Sequence, residues 1–384
     1  MHPRVTLSVG NFFYAIATTL VVYIILPYLA RFMSESAASL VVAAGAALSL
    51  VLFLYLPHLV ERFGAQSLAI VLGIAQMFSL FALAAAPGAF GATVFVALLI
   101  AIQPFLSYTL DIMLEATVAE EGVTGRVRTL FMTAYNVAGF GTPLLLGGLL
   151  DNTDAYARIF LAAAAISVPF IVLFAARKLP EGKPPEKVRL GDALSAIARN
   201  RDLLAVSASR LLLYLFYVWA PLYVPIYLHT KLGLPWSELG WMFSLMLLPF
   251  VLFEYPAGWL ADNVWGDQEL LVTGFVVMGV SFVALALVTN AWSPLAIAAL
   301  LFATRAGAAL VESMTDSHFF RRVSEEDTEE IAAYRMLWPF ADLIGPLAGA
   351  GVLFVSGFSG FFAATGGFLL VVGLIAAFSI RDFR

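Results

Sequence analysis

Asp111-Ile112-Met113-Leu114-Glu115 closes a long apolar run, and 201 residues later the pattern returns as Glu312-Ser313-Met314-Thr315-Asp316. Acids are sparse here, 26 in 384 residues, so two acids four apart that recur behind apolar sequence mark an internal duplication. Glu61 and Asp262 share the 201-residue offset, and Pro143 and Pro346 stand 203 apart after a small loop insertion. Two similar halves follow one another along the chain.

The sequence around these markers is too apolar for water to be its main solvent. Hydrophobic residues make up 61% and charged residues 12%, against about 45–50% and about 25% in globular proteins. Apolar stretches fall at 7–30, 37–60, 66–86, 91–115, 129–150, 155–176, 204–229, 237–260, 269–289, 292–316, 331–355 and 358–380. Each is long enough to span a bilayer as a helix. Barrel strands would be about half as long and would alternate in polarity. The turns at Ala86-Pro87-Gly88 and Ser356-Gly357-Phe358 are tight and predict antiparallel neighbours. The expected fold is therefore an all-α polytopic membrane protein with twelve transmembrane helices in two six-helix bundles, residues 1–176 and 204–384. Between them, 177–203 form a linker that opens on a basic, proline-containing run. Within it Leu190, Leu194 and Ile197 recur at helical spacing among charged residues, which predicts a short amphipathic helix on the membrane surface.

Sixteen Lys and Arg fall on the side of both termini, and only Arg31, Arg158 and Lys231 on the other. By the positive-inside rule this bias puts both termini in the cytoplasm, in a plasma membrane or, for a bacterial protein, the inner membrane. The first apolar stretch is long enough to be a retained span rather than a cleaved signal. A net charge of -5 calls for no nucleic-acid partner, and the absence of cysteine excludes disulfides and thiolate metal sites. The four histidines show no metal-binding spacing, and neither a P-loop nor a Gly-x-Ser-x-Gly elbow occurs. No metal, cofactor or enzymatic activity is expected. The expected partners are membrane lipids, a small solute and protons, with the chain acting as a monomer.

The loop after span 2 reads Pro57-His58-Leu59-Val60-Glu61-Arg62-Phe63-Gly64, and the one after span 8 reads Gly258-Trp259-Leu260-Ala261-Asp262-Asn263-Val264-Trp265-Gly266. With the twelve-span pattern and the central linker, these make the chain resemble the major facilitator superfamily, whose corresponding loop carries Gly-x-x-x-Asp-Arg-x-Gly. The first copy departs by Pro57 and Glu61, the second by one extra residue before its closing Gly266. The resemblance implies a secondary transporter working by alternating access, with spans 1, 4, 7 and 10 along the pathway. It implies a cytoplasmic gate role for Glu61, Arg62 and Asp262. Depth and family together place Asp111, Glu115, Glu312 and Asp316 at the same gate, with Arg126 and Arg128, and Arg321, Arg322 and Arg335, as their cationic partners. Span 5 carries Gly139-Phe140-Gly141-Thr142-Pro143, loosely similar to a motif of proton-driven exporters in the family. Export of lipophilic compounds is thus an alternative reading. A receptor or scaffold that keeps the transporter fold is another.

Ionisable residues deep in a span are functional candidates because insertion is costly. Arg305 and Asp342 fall near the bilayer centre and are placed to pair, as are Arg210 and Glu254 on spans 7 and 8. Either these charges bind substrate and proton, with Arg305 on an anionic or polar group and Asp342 or Glu254 exchanging the proton, or they are static pairs that fix helix packing. The remaining pathway candidates are neutral: Asn11 and Tyr14 on span 1, Tyr214 and Tyr217 on span 7. Trp219, Tyr223 and Tyr227 are expected as interfacial anchors.

Overall fold

In hydrocarbon a backbone finds no hydrogen-bond partner outside itself, and these apolar stretches close their bonds as helices. The computed structural model describes residues 3–119, 124–182, 190–324 and 327–380, among which no strand occurs. The chain divides into two compact units. The first comprises Met1–Lys187 with Leu228–Thr230 and Leu234–Trp241, and the second Val188–Tyr227, Lys231–Gly233 and Met242–Arg384.

The first unit contains α1 (Pro3–Val22), α2 (Ile25–Leu29), α3 (Glu35–Phe63), α4 (Ala65–Ala84), α5 (Gly88–Ala119), α6 (Thr124–Leu150) and α7 (Tyr156–Ala175). The first span is split into α1 and α2 at Tyr23 and Ile24, because Pro27 lacks the amide that would bond the Tyr23 carbonyl and its ring crowds that oxygen. The turn after α3 passes through Gly64 at φ 78°, a left-handed conformation that side chains with a Cβ resist.

The second unit contains α8 (Leu190–Arg199), α9 (Arg201–Ile226), most of α10 (Trp236–Asn263), α11 (Asp267–Ala284), α12 (Pro294–Arg322) and α13 (Thr328–Ser379). One π-helical turn, Tyr227–Lys231, follows α9. Ten segments among the described residues are apolar and long enough to cross a membrane. The last of these, Glu329–Ser379, has 51 residues, about twice one span, and turns at Gly357 with φ 64° and ψ −173°. With that division and the 27-residue α6, the described helices are consistent with the twelve expected crossings.

Helix pairing repeats between the units. In the first, α4 packs on α5 and α7, while α1 packs on α6, α7 and α5; in the second, α11 packs on α12 and α13, while α9 packs on α13 and α12. These are equivalent pairs under the duplication seen in the sequence. Contact is close where residues are small: a methyl group on Gly307 of α12 would overlap the backbone of Met278 and Gly274 on α11. Lipid supplies no hydrophobic drive between helices, so such close packing carries their association.

Three expectations change here. Several helices run past their apolar windows: α3 reaches Phe63, α5 reaches Ala119 and α12 reaches Arg322, since bilayer thickness limits apolar length but not helix length. Trp219, Tyr223 and Tyr227 are not interfacial anchors but are buried at 3%, 0% and 6% exposure. The Trp219 indole donates to the Gly345 carbonyl (2.8 Å) and the Tyr227 hydroxyl to that of Val288 (2.8 Å), so their polar tips are satisfied by protein rather than by headgroups. The described parts of the linker are also fixed in place. Leu179 joins the core of the first unit, and in α8 Ile197 buries against Ala333. The linker residues 183–189, including Lys183 and Lys187, lie outside the described residues, as do the side chains of Leu190 and Leu194.

The α11–α12 contact gives a test. Gly307→Val is expected to lower stability by about 1–3 kcal/mol through overpacking, read as a fall in melting temperature of detergent-purified protein. Unchanged melting would show that the two helices do not meet at this point.

Candidate functional site

Arg210, Tyr214 and Tyr217 lie at i, i+4 and i+7 on α9, which puts them on one helix face. Glu312 and Asp316, also four apart, face them from α12. Arg210 is buried at 7% exposure. Its guanidinium lies 3.2 Å from Asp316 and 3.8 Å from Glu312, and donates to Thr315 Oγ1 at 3.4 Å. Both acids are more open than the arginine, with side chains 36% and 41% exposed against 9%. Two tyrosines complete the set. The Tyr217 hydroxyl donates to Glu312 (2.6 Å) and the Tyr334 hydroxyl to Asp316 (3.0 Å). Arg210 also stacks over the Tyr214 ring at 4.6 Å and the Tyr334 ring at 5.8 Å.

The polar line continues along α12. Arg305, two turns before Glu312 and 5% exposed, lies over the rings of Phe216 (4.8 Å) and Tyr217 (5.8 Å). Tyr217 thus touches Arg305 with its ring and Glu312 with its hydroxyl. Trp338 packs edge-on against Tyr214 at 4.8 Å, and Phe250 against Tyr217 at 5.9 Å. Asp342 sits one helical turn beyond Trp338, half-buried. Chemically, two carboxylates sharing one guanidinium can lose one negative charge and still leave the buried arginine with an ionised partner, which a single ion pair cannot do.

The residue pattern of the second half also matches a family model. Residues 221–382 match the model described as Major Facilitator Superfamily. Across the whole length, the fold is similar to that of the nucleoside transporter NupG, with TM-score 0.77 at 13% identity over 99% of this chain and 100% of that one. The chain has the major facilitator fold. Similar likenesses hold for a peptide transporter POT crystallised with sulfate (TM-score 0.75, 15% identity, 98% of this chain and 94% of that one) and for the POT family transporter PepTSo (0.77, 13%, 99% and 98%). No curated protein matches the chain in sequence.

Within this major facilitator fold, several predicted partners are reassigned. Arg305, expected against Asp342, lies over the rings of Phe216 and Tyr217. Arg210 takes Glu312 and Asp316, the acids expected at the gate with Arg321, Arg322 and Arg335. Arg321 and Arg322 instead reach the first-turn acids of other helices: Arg321 meets Asp267 of α11 at 3.2 Å and Arg322 meets Asp202 of α9 at 2.8 Å. They lie a turn or more beyond Asp316, closer to where α9 and α11 begin, and Arg335 is exposed. The side chains of Glu254, Asp262, Arg126 and Arg128 lie outside the described residues. In the first unit Asp111 and Glu115 are exposed on α5. Asn11 and Tyr14 are buried, donating to the carbonyls of Phe131 (3.0 Å) and Gln103 (2.7 Å).

The loop motif also works through a different acid. Glu61 and Arg62 are exposed, with Arg62 over the Phe63 ring at 5.3 Å. The anion at the positive N-terminus of α4 is Glu181 of the linker, which accepts the Ala65 amide at 2.6 Å. Gly64 allows this twice over, by its positive φ and because a Cβ there would crowd the Glu181 carboxylate. Gln66 clamps the same segment through the carbonyl of Phe174 and the amide of Leu179.

Sequence reading missed a polar cluster that is almost fully buried. His318 of α12, 1% exposed, places Nε2 2.9 Å from Asp202 and Nδ1 3.0 Å from Asp267. Two helix N-termini carrying acids and one helix C-terminus carrying His318, Arg321 and Arg322 are thereby tied together, each charge favoured by its helix dipole. The stripe His318, Arg321, Arg322 at i, i+3, i+4 was the available signal. Replacing His318 with Leu should destabilise the protein by roughly 3–5 kcal/mol, since two buried carboxylates lose a shared partner. Thermal unfolding in detergent reads this, and a shift within error would show that Arg321 and Arg322 suffice.

Proposed function

We propose that the chain is a secondary active transporter that moves a small organic solute, amphipathic or anionic, across the membrane by alternating access coupled to protons. The transporter fold supports the class, and the nucleoside and peptide transporters among its structural likenesses support an organic solute of that size. The charge bias of the loops supports cytoplasmic termini.

The observation that carries the coupling is the sharing of Arg210 between Glu312 and Asp316. In this reading a proton taken up by either acid leaves Arg210 paired to the other, so the buried guanidinium is never stranded while the site changes charge. Arg305 and the aromatic surface of Tyr214, Tyr217 and Trp338 then face the solute, the cation meeting an anionic or polar group and the rings an apolar one. Asp342 offers a further carboxylate at the end of that surface.

A thermal-shift screen with nucleosides and short peptides as first probes, followed by counterflow of a labelled hit in proteoliposomes, tests the reading. Glu312→Gln and Asp316→Asn, made singly so that Arg210 keeps one ionised partner, are each expected to keep counterflow but to lose proton-driven accumulation, since the remaining acid can no longer take a proton without stranding the guanidinium. Arg210→Ala should lower both at least about tenfold, the effect of losing some 1.4 kcal/mol or more. Wild-type accumulation in both single variants would reject the coupling, and absence of counterflow for every stabilising compound would reject transport.

A further inference from the structure

We infer that His229 is a proton-operated latch at the end of the first unit opposite the N-terminus, holding that unit's segments 228–230 and 234–241 against the turn between α6 and α7. His229 lies in the π-helical turn Tyr227–Lys231, an irregularity that favours functional positions. Its Nδ1 is 2.8 Å from the Leu234 carbonyl oxygen, and its Nε2 is 2.8 Å from Asp154 Oδ1. A main-chain carbonyl has no proton to give, and an ionised carboxylate only accepts. Both ring nitrogens must therefore donate, which only the imidazolium does.

The rest of the seat is built around that cation. Asp154 Oδ1 also accepts from Trp236 Nε1 and from the Tyr156 hydroxyl, each at 3.4 Å. The His229 ring lies against Trp236 with centroids 4.4 Å apart, and Trp236, fully buried, meets Tyr156 edge-on at 6.1 Å. Beside it the Ser237 amide donates to the Asp151 carbonyl at 3.2 Å. Gly240 of α10 then abuts Gly147 of α6 so closely that a methyl group on either would overlap the other backbone.

The charged groups around the latch come from every neighbouring element. Asp151 and Asp154 belong to the α6–α7 turn, Arg158 to α7, Arg31 to the end of the first span, Lys231 to the π turn and Glu238 to the first turn of α10. Arg31 is held over the Tyr156 ring at 5.8 Å, Arg158 donates to the Leu149 carbonyl at 3.3 Å, and Lys231 lies over the Phe358 ring at 5.7 Å. Arg31 also donates to the Asp154 main-chain carbonyl at 3.5 Å, while the Asp154 carboxylate takes His229 at 2.8 Å. Since the Asp154 side chain is 58% exposed and that of His229 18%, the pair can exchange protons with the aqueous phase. Loss of the proton turns one ring nitrogen into an acceptor facing another acceptor, and the seat loses one of its two anchoring bonds. As a gate on the outer face of a transporter the latch rests on the proposed function. As a proton-dependent contact it does not.

The chain has no cysteine, so spin labels can be attached through Asn152→Cys and Ser237→Cys, both exposed positions flanking the seat. Dipolar broadening between the labels is expected to be strong at about pH 5.5 and at least about twofold weaker at about pH 8.5, the range over which imidazole loses its charge. His229→Gln should remove the pH dependence, and His229→Arg, which keeps a cation at every pH tested, should hold the broadened state throughout. Gel filtration establishes that each variant is folded; should His229→Gln not fold, His229→Arg alone decides. The inference is overturned if broadening does not change with pH in the parent, or if it changes equally in either variant. Failure of counterflow with this response intact would reject transport and leave the latch standing.

Discussion

Hydrocarbon supplies neither hydrogen bonds nor counter-ions, and every polar group placed among these helices has to find its partner within the protein. The backbone meets that demand by being helical. The side chains meet it through a few shared contacts: Arg210 between two acids, His318 between two aspartates, Asn11 and Tyr14 on backbone carbonyls of neighbouring helices. Each contact joins different helices, so satisfying a polar group and fixing the packing of a unit are one event.

What the sequence made legible was everything governed by length, polarity and repetition. Twelve apolar stretches, the duplication at 201 residues, the turn at Gly357 and the amphipathic helix from Leu190 all follow from local pattern. Partner choice did not follow, because it depends on how each helix is rotated about its axis and how far it extends beyond the apolar window. Arg321 and Arg322 looked like partners for Glu312 and Asp316 on proximity in the chain; the rotation of α12 and the N-terminal acids of α9 and α11 direct them elsewhere. Trp219 and Tyr227 carry the composition of interfacial anchors, yet each finds a carbonyl inside the second unit. The acid at the N-terminus of α4 comes from 116 residues away in Glu181, a separation no local pattern encodes.

The two units share their helix pairing but not their charge. At the equivalent of Arg305 the first unit has Pro104, and at the equivalent of Asp342 it has Gly139. Duplication preserved the scaffold while ionisable side chains gathered on α9, α12 and the first half of α13. Tyr217 is the junction of that gathering, since its ring faces Arg305 and its hydroxyl binds Glu312. A change of charge at Glu312 is therefore felt at Arg305 through a single side chain.

The turn at Gly357 joins the last two spans with no loop between them. Trp219 touches both arms, at Gly345 before the turn and at Phe361 and Phe368 after it. With no slack in the connection, neither arm can slide along its axis by a helical turn, about 5.4 Å, without dragging the other. Tyr334, Trp338 and Asp342 all ride on the first arm. Their freedom is that of a hinge and not of a piston: they can swing with a tilt of the hairpin, while their depth in the membrane stays set.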